Sequence, residues 1–212
     1  MAVLVKKDIV ELIGQGQIKF TPALDKFELQ PHSVDLRLGY TFLVPKTWEM
    51  TQEGRQAVMV DHLKMRDGGK YFEVIELEEG QYFELLSREH VIVMSLEKIK
   101  LSAGLMAVLY PRSSLNRRGL SVDLSGIVDA GYEGQLVVPL GNNTNQVIRI
   151  YPGERFCQLV FQKLDGEAKV AKSRWHGRDM AQGLVKERYS REVSLVKQGK
   201  IRELKQKYQI GA

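Results

Sequence analysis

The strongest constraint on the fold is a series of short apolar segments separated by residues that form turns. Each segment is rich in Val, Ile, Leu, Tyr and Phe, and Gly, Pro, Asn or Asp stands between them. Short strands at this spacing are typical of a sandwich or barrel and argue against a parallel sheet covered by helices. We therefore predict a mainly β fold, a distorted barrel or sandwich. The segments are SVDLRLGYTFLV, YFEVIELEEGQYFELL, HVIVMSLEKIKL, GLMAVLYP, GQLVVPLGN and QVIRIYPGERFCQLVFQKL.

Helical patterns stand near the two ends of the chain. Residues 6–13 place their apolar side chains on one side of a short helix that Gly14 ends. Past Leu164 the β pattern stops, and SLVKQGKIRELKQKYQI carries apolar residues at helical spacing, which predicts a C-terminal helix. Residues 45–70 fit neither pattern and are predicted to form an excursion or loop.

Composition argues against several classes of protein. The chain has no run of 18 apolar residues, so we expect no membrane span. Its first residues lack the pattern of a secretory signal, and its single cysteine, Cys157, suits a reducing compartment, so we expect a cytoplasmic protein. Cys157 lies in an apolar run, where a buried small side chain is expected. No CxxC or HExxH motif occurs and the histidines are scattered, so a transition-metal site is not expected.

The net charge of +5 is unevenly distributed along the chain. Residues 163–212 carry a net charge of +7, whereas residues 1–162 carry −2. A basic tail on a near-neutral body suggests an anionic partner, either a polyanion or a phosphorylated small molecule. The alternative is a solvated helix without a partner.

The segment PRSSLNRRGL places a cluster of hydrogen-bond donors directly after an apolar strand. Arg112, Arg117 and Arg118 provide three guanidinium groups, and these, two hydroxyls and turning backbone N–H groups are suited to a polyphosphate. The alternative is a polar helix start capped by one of the serines. The predicted phosphate-binding residues are Arg112, Ser113, Ser114 and Arg117.

Two further segments carry polar residues where a β core favours apolar ones. In GIVDAGYEGQLVVPLGN, Asp129 precedes a turn and Tyr132, and Gly134 lets the chain fold back, as in a hairpin that could hold a base edge and a sugar. The alternative is a turn aspartate that bonds its own backbone. In GERFCQLVF, Gln158 lies inside an apolar strand and needs a partner, either another strand or a ligand.

Together these segments resemble the dCTP deaminase/dUTPase family over about residues 3–185. The resemblance rests on DIVELIGQGQIKF and SVDLRLG near the N-terminus, then on PRSSLNRRGL, GIVDAGYEGQLVVPLGN and YPGERFCQLVF in that order. A weaker match, WHGRDMAQG, resembles the arm that dCTP deaminases close over the triphosphate, with Arg178 where Lys is usual and Gln182 in its place.

The resemblance implies an architecture for the chain. It is a dUTPase-like β domain over residues 1–164, a triphosphate-closing arm over residues 165–185 and a basic helical extension over residues 186–212. It also implies a homotrimer with three sites at subunit interfaces, where one subunit gives the hairpin and a neighbour gives the phosphate-binding residues.

The resemblance also implies a choice between two chemistries. In dCTP deaminases a Glu on the strand after the hairpin carries protons, and this sequence has Pro139 at that position, which has no proton to carry. In dUTPases an Asp at the position of Asp129 orients the attacking water, Mg²⁺ accompanies the triphosphate and a Tyr packs on the deoxyribose. We therefore expect a Mg²⁺-dependent hydrolase that converts dUTP to dUMP and pyrophosphate. Asp129 would be catalytic, and the substrate-binding residues would be Arg112, Ser113, Ser114, Arg117, Tyr132, Val137, Val138 (by their backbone), Gln158, Arg178 and Gln182.

Three alternatives stay open at this point. The first is a dCTP deaminase, dUTP- or dUMP-forming, in which Glu133 or Asp123 replaces the missing Glu. The second is a catalytically silent member that binds a deoxynucleotide. The third is a nucleic-acid binder, which we expect least because the basic tail lacks the interleaved aromatic residues of a single-strand platform.

Overall fold

The chain is predominantly β in the computed structural model, which describes residues 2–61, 71–123, 126–166, 168 and 190–209. Its helices are α1 (Lys6–Gly14), α2 (Ser113–Asn116), α3 (Ser190–Lys197) and α4 (Ile201–Lys207). Its strands are β1 (Ile18–Thr21), β2 (Val34–Pro45), β3 (Trp48–Thr51), β4 (Gly54–Ala57), β5 (Phe72–Glu76), β6 (Phe83–Leu85), β7 (His90–Leu101), β8 (Leu105–Pro111), β9 (Leu120–Val122), β10 (Gly126–Val128), β11 (Glu133–Asn142), β12 (Ile148–Ile150) and β13 (Arg155–Lys163).

A nine-stranded sheet organises the fold. Its strand order is β10-β8-β13-β2-β7-β11-β9, while β1 pairs with β7 and β5 pairs with β2. The long pairings β2–β7, β7–β11, β2–β13 and β8–β13 are antiparallel. Register shifts interrupt β2, β11 and β13, and such bulges bend strands. The result is a curled antiparallel sheet, which confirms the predicted fold class.

The hydrophobic core follows from the alternation of side chains along the strands. In β7 the buried residues fall on every second position, and β11 repeats the pattern through Leu136, Val138 and Leu140. The face opposite the core therefore carries the intervening residues of β11, Val137, Pro139 and Gly141.

Two regions differ from the sequence prediction. The predicted excursion contains a hairpin, β3–β4, whose turn uses Gly54 in the left-handed region at φ +102°. The single predicted C-terminal helix is divided into α3 and α4, because Gly199 adopts φ +69° and ends α3.

The chain divides into two compact units. One comprises Met1–Pro45 and Glu73–Arg178, and the other Lys46–Phe72 and Asp179–Ala212. Among the described residues, no helix combines the length and the apolar character needed to cross a membrane.

Candidate functional site

A polar cavity of about 370 Å³ lies where β8 leads into α2. Of the sequence-predicted residues, the structure brings five together on its wall, namely Arg112, Ser113, Ser114, Arg117 and Gln158. The opposite wall is formed by residues that the sequence analysis did not assign to a site, namely Gln30, Pro31, His32, Ser33 and Asp35.

The local fold leaves the two serine hydroxyls of this segment without a partner among the described residues. β8 ends at Pro111, and Arg112 has extended backbone angles before the short helix α2 begins. No side-chain cap is made at this helix start, so the alternative of a serine N-cap is not observed. No hydrogen bond of the Ser113 or Ser114 hydroxyl is found within the part of the chain that the structure describes. The two hydroxyls are therefore available to a ligand.

Asp35 of β2 holds two arginine side chains at the cavity. Its Oδ2 atom lies 3.4 Å from Arg112 Nε and 3.1 Å from Arg155 Nη1. Arg112 also donates from Nη1 to the backbone oxygen of Arg155 at 3.1 Å. A guanidinium held at two points by its own protein presents its remaining N–H groups in a fixed direction, which suits recognition of an oxyanion.

The Asp35 carboxyl is nearly inaccessible to water, and this governs its ionisation. Burial raises the pKa of Asp35 above its ordinary value, against the opposing effect of the charges of Arg112 and Arg155. A carboxyl held between two arginines usually has a lowered pKa, so here burial outweighs the ion pairs. The carboxyl is therefore a structural support for the arginines.

Gln158, a polar residue within the apolar strand β13, has a hydrogen-bond partner on another segment. Its Oε1 atom accepts a hydrogen bond from the Ser33 hydroxyl at 3.3 Å, which ties β13 to the segment before β2. The same side chain lines the cavity. Gln158 thus joins two walls of the cavity and also faces its interior.

Asp129 lies in the turn between β10 and β11. Its backbone oxygen accepts the N–H of Tyr132 at 3.1 Å, and Gly131 has φ +73°, as the third residue of a type II turn requires. Within the described part of the chain, no hydrogen bond or ion pair of the Asp129 carboxylate is found. The alternative of an aspartate side chain that bonds the backbone of its own turn is therefore not observed. The carboxylate is exposed.

Tyr132 packs at the start of β11. Its hydroxyl donates to the backbone oxygen of Gln135 at 2.7 Å, and burial raises its pKa to about 12. A Cβ atom on Gly134 would lie 3.0 Å from the Tyr132 hydroxyl oxygen and 3.3 Å from Cζ. The absence of a side chain at Gly134 therefore lets the tyrosine ring lie over the strand.

The Pro139 side chain lies on the face of β11 that points away from the core. Asp123, the residue just after the neighbouring strand β9, lies across from Pro139. Asp123 follows β9 and donates its N–H to the Pro139 oxygen at 3.0 Å. The pairing of Leu140 with Val122 places Asp123 directly across from Pro139. An acidic side chain therefore stands across from the position where the resemblance expects the deaminase Glu.

The main chain around Pro139 shows why a proline is tolerated in this strand. The N and C=O of one residue point to the same side of an antiparallel strand. Because the Pro139 oxygen faces Asp123, its missing N–H lies on that side too, and the ladder between β11 and β7 keeps its bonds. By the same alternation, the main-chain groups of Val138 face β7, whereas those of Val137 face the other side.

Glu133, the other acidic residue considered for proton transfer, is bound by lysines. Its carboxylate lies 2.8 Å from Lys100 Nζ and 3.4 Å from Lys98 Nζ, both on β7. The hydrogen bond of Lys100 and that of Lys98 lower the pKa of Glu133. A carboxylate held in two ion pairs is a poor proton carrier near neutral pH.

The hairpin residues and the polar cavity occupy different places on one chain. Asp129, Tyr132, Val137 and Val138 are not among the described residues that line the cavity. Val138 is buried in the core, so only its backbone could contact a ligand. Arg178 and Gln182 lie outside the described residues.

Within the described ranges of the chain, neither a thiol site nor a metal site built by the protein is found. Cys157 is buried, and burial raises the pKa of its thiol well above the ordinary value, as its apolar surroundings led us to expect. In the described part of the chain, no group of three or more His, Cys, Asp or Glu side chains could hold a metal ion.

Comparison with known proteins shows the family. The family model described as dCTP deaminase-like matches residues 3–164. The proteins named dCTP deaminase, dUMP-forming, from Sulfurihydrogenibium sp. and Aquifex aeolicus are each 36% identical to this chain, covering 79% and 77% of it and 87% and 82% of their own lengths. The protein of the same name from Methanobrevibacter smithii is 32% identical and covers 80% of this chain and 84% of its own.

A solved structure shows the same fold. The crystal structure of the 2'-deoxycytidine 5'-triphosphate deaminase from Agrobacterium tumefaciens aligns with a TM-score of 0.57 at 24% identity, covering 75% of this chain and 48% of that chain. The match of the family model to most of the chain, the identities above 30% and the shared fold agree with one another. This chain belongs to the dCTP deaminase-like family.

Proposed function

We propose that this chain is a pyrimidine deoxynucleoside triphosphate pyrophosphohydrolase that converts dUTP and water to dUMP and pyrophosphate. The observation that carries the proposal is the chemistry of the hairpin. Asp129 has an exposed carboxylate without a bond to the described residues, whereas position 139 holds a proline and Glu133 is bound by two lysines. This set of side chains suits activation of a water molecule better than proton transfer at a base.

In the proposed reaction the polar cavity holds the triphosphate. Arg112, already fixed by Asp35, would bind phosphate oxygens together with Arg117 and the two serine hydroxyls. Positive charge held close to the phosphates would neutralise the charge that develops on pyrophosphate as it leaves.

Asp129 would act on the attacking water. Its carboxylate would accept a proton from the water as the oxygen attacks the α-phosphorus, and the bond from this phosphorus to the bridging oxygen would break. Tyr132 would pack against the deoxyribose, and backbone groups near Val137 would contact the base edge. Positioning and charge neutralisation, with one base, are sufficient for hydrolysis of a phosphoanhydride.

The cavity fits a Mg²⁺–triphosphate better than a metal ion held by the protein alone. Its charged donors are Arg112 and Arg117, and its one carboxyl, Asp35, is buried and bound to Arg112 and to Arg155. The triphosphate that Arg112, Ser113, Ser114 and Arg117 bind would therefore hold the ion. When bound, Mg²⁺ would polarise the phosphate oxygens.

The proposed site is completed by a second subunit. The hairpin residues do not line the cavity of their own chain, which is the separation that a site shared between subunits requires. We therefore propose a homotrimer in which the hairpin of one subunit meets the cavity of the next. Arg178 and Gln182 would close the site as part of the arm.

A second candidate function is deamination of dCTP before hydrolysis, dCTP and water giving dUTP and ammonia. It is favoured by the names of the relatives and by the position of Asp123, which lies across from Pro139 and has no side-chain bond to the described residues. The Asp123 carboxylate would take a proton from water as it adds to the ring carbon and return it to the departing amine.

The test is product analysis of the full chain with Mg²⁺ and either dUTP or dCTP. The proposal predicts dUMP and pyrophosphate from dUTP. Asp129→Asn should lose this turnover and keep nucleotide binding, whereas Glu79→Gln, at an exposed position after β5, should keep the turnover of the parent. Release of ammonia from dCTP that Asp123→Asn abolishes, with dUTP hydrolysis retained, would favour the second candidate.

A further inference from the structure

Two glutamate side chains meet in the interior of the β unit, away from the residues assigned to substrate. Glu97 on β7 is 1% exposed, and Glu28, in the segment before β2, is 2% exposed. After burial, a hydrogen bond between the two side chains is the largest contribution that raises the pKa of Glu97. Because an ionised carboxylate only accepts hydrogen bonds, a bond between two carboxyl groups requires a proton on one of them.

The remaining bonds of the pair leave one buried oxygen without a hydrogen-bond partner among the described residues. Glu97 Oε2 accepts the N–H of Arg37 at 3.0 Å, and Glu28 Oε2 accepts the N–H of Asp25 at 2.7 Å. With both carboxyl groups ionised, the buried Glu28 Oε1 atom has no hydrogen-bond donor among the residues that the structure describes. A proton carried by Glu97 supplies the missing donor and removes the unsatisfied atom.

The charges around the pair do not neutralise two carboxylates. The Arg37 guanidinium lies 3.9 Å from Glu28 Oε2, but it also binds the Asp25 carboxylate at 2.6 Å. The Cys157 thiol on β13 interacts electrostatically with Glu97 and with Asp35, and its ionised form would add negative charge beside Glu97. Two buried negative charges against one shared cation would be costly, so the surroundings favour a protonated pair.

We infer that Glu28 and Glu97 share one proton in the native protein and that this shared proton positions the wall of the polar cavity that precedes β2. The connection is short, because the Glu28 backbone oxygen accepts the N–H of Asp35 at 2.8 Å and Asp35 holds Arg112. The pair therefore acts through Asp35 as a positioning group. This second part of the inference rests on the proposed function of the cavity, whereas the shared proton does not.

The shared proton predicts a specific dependence of stability on pH. Burial, with the hydrogen bond and charge of Glu28 adding to it, raises the pKa of Glu97 from an ordinary value of 4.5 to about 8. Between these values the native state holds a proton that the unfolded chain has released. The stabilisation is therefore complete below about pH 4.5 and is lost as pH rises toward 8, by up to about tenfold in the unfolding equilibrium per pH unit.

The first test is chemical denaturation of the full chain between pH 5 and pH 9. Glu97→Gln keeps a donor toward Glu28 and removes the titrating proton, so the difference between the parent and this variant should decline through the window with the slope of one proton. Glu79→Gln, at an exposed position, should run parallel to the parent. If Glu97→Gln does not fold, Glu28→Gln supplies a donor from the other side and should flatten the dependence in the same way. Parallel curves for the parent and either pair variant would overturn the shared proton.

The second test measures the affinity for inorganic pyrophosphate at pH 7 and pH 9 by calorimetry. The affinity of the parent for pyrophosphate should fall at least fivefold between pH 7 and pH 9, whereas that of Glu97→Gln should fall less than twofold. An equal fall in affinity in the parent and in Glu97→Gln would overturn the positioning role. Affinity that is weakened in Glu97→Gln by the same factor at both pH values would also overturn it, because a merely structural role predicts that result. Absence of pyrophosphate binding at either pH would count against the proposed function and the positioning role together, while the denaturation curves would still decide the shared proton.

Discussion

Asp123 donates its backbone N–H to the oxygen of Pro139 across 3.0 Å, which places a carboxylate across from the one residue of β11 that lacks an N–H. The two residues face each other across neighbouring strands, so the Asp123 side chain and the proline ring lie on the same face of the sheet. A substitution at either position should therefore change the effect that a substitution at the other position has on stability.

The proton-accepting role of Asp129 predicts a selective loss of turnover. Asp129→Asn keeps the size of the side chain and removes the base, so kcat for dUTP should fall by roughly 10²- to 10⁴-fold. The Kd for a non-hydrolysable dUTP analogue should change by less than about threefold, because the phosphate contacts lie elsewhere. Equal losses of kcat and of binding would mean that Asp129 holds the substrate and does not activate water.

The cross-strand position of Asp123 predicts an energetic coupling to residue 139. Pro139→Glu places a second carboxylate directly across from Asp123, and like charges at such positions destabilise a sheet by about 0.2–1 kcal/mol. Adding Asp123→Asn should remove this cost, and Pro139→Gln provides the uncharged control. A double-mutant cycle by chemical denaturation measures the coupling. A coupling energy of zero would contradict the register of β9 and β11.

Substitution by alanine should destabilise the protein at Gly134 but not at Gly126. Gly134→Ala puts a methyl group 3.0 Å from the Tyr132 hydroxyl oxygen, so the ring or the strand must shift, at a cost of about 1–3 kcal/mol. Gly126→Ala meets only Leu109 Cβ at 3.9 Å, an ordinary contact, and should be close to neutral. Thermal denaturation distinguishes the two variants, and similar melting temperatures would contradict the packing of Tyr132 over β11.

The cost in stability of removing an aspartate that pairs with arginine should depend more on the burial of the aspartate than on the length of the ion pair. The Asp25–Arg37 contact is short, 2.6 Å, but the Asp25 side chain is 43% exposed, so Asp25→Asn should cost less than about 1 kcal/mol. The Asp35 side chain is 3% exposed, and its removal leaves Arg112 and Arg155 without a counter-charge. Asp35→Asn should therefore cost about 2–3 kcal/mol, less than a fully buried pair because both arginines keep contact with water.

The same Asp35 variant makes a prediction for binding. Asp35→Asn removes the charge that fixes Arg112, so pyrophosphate affinity should fall severalfold in calorimetry, while Asp25→Asn should leave it unchanged. Equal effects of the two variants on stability and on pyrophosphate binding would contradict the supporting role of Asp35.

The sequence was informative wherever a property is local along the chain. The short apolar segments bounded by turn residues predicted strands such as β7 and β11, because strand propensity and turn residues can be read from each segment alone. The cluster from Arg112 to Arg117 could also be found, since its donors follow one another in a single segment. The helical spacing of the apolar residues around Gly199 predicts one continuous helix, whereas the positive φ of this glycine divides it into α3 and α4.

Residues whose roles depend on distant partners could not be found in the same way. Asp35 stands between apolar residues of β2, whereas its partner Arg155 lies 120 positions away in the chain. Asp123 could not be located because its place across from Pro139 follows from the register of β9 on β11. Glu28 and Glu97 gave no local signal, since each is an ordinary acidic residue until the sheet brings the two together.

The most direct test of the central claim is product analysis of the purified full chain with Mg²⁺ and either dUTP or dCTP, resolving dUMP, dCMP, dUTP, pyrophosphate and ammonia. The account predicts dUMP and pyrophosphate from dUTP and no ammonia from dCTP. Ammonia from dCTP would contradict the claim that Pro139 removes deamination and would turn attention to Asp123. Binding of dUTP without any product would contradict the assignment of Asp129 as the base that activates water.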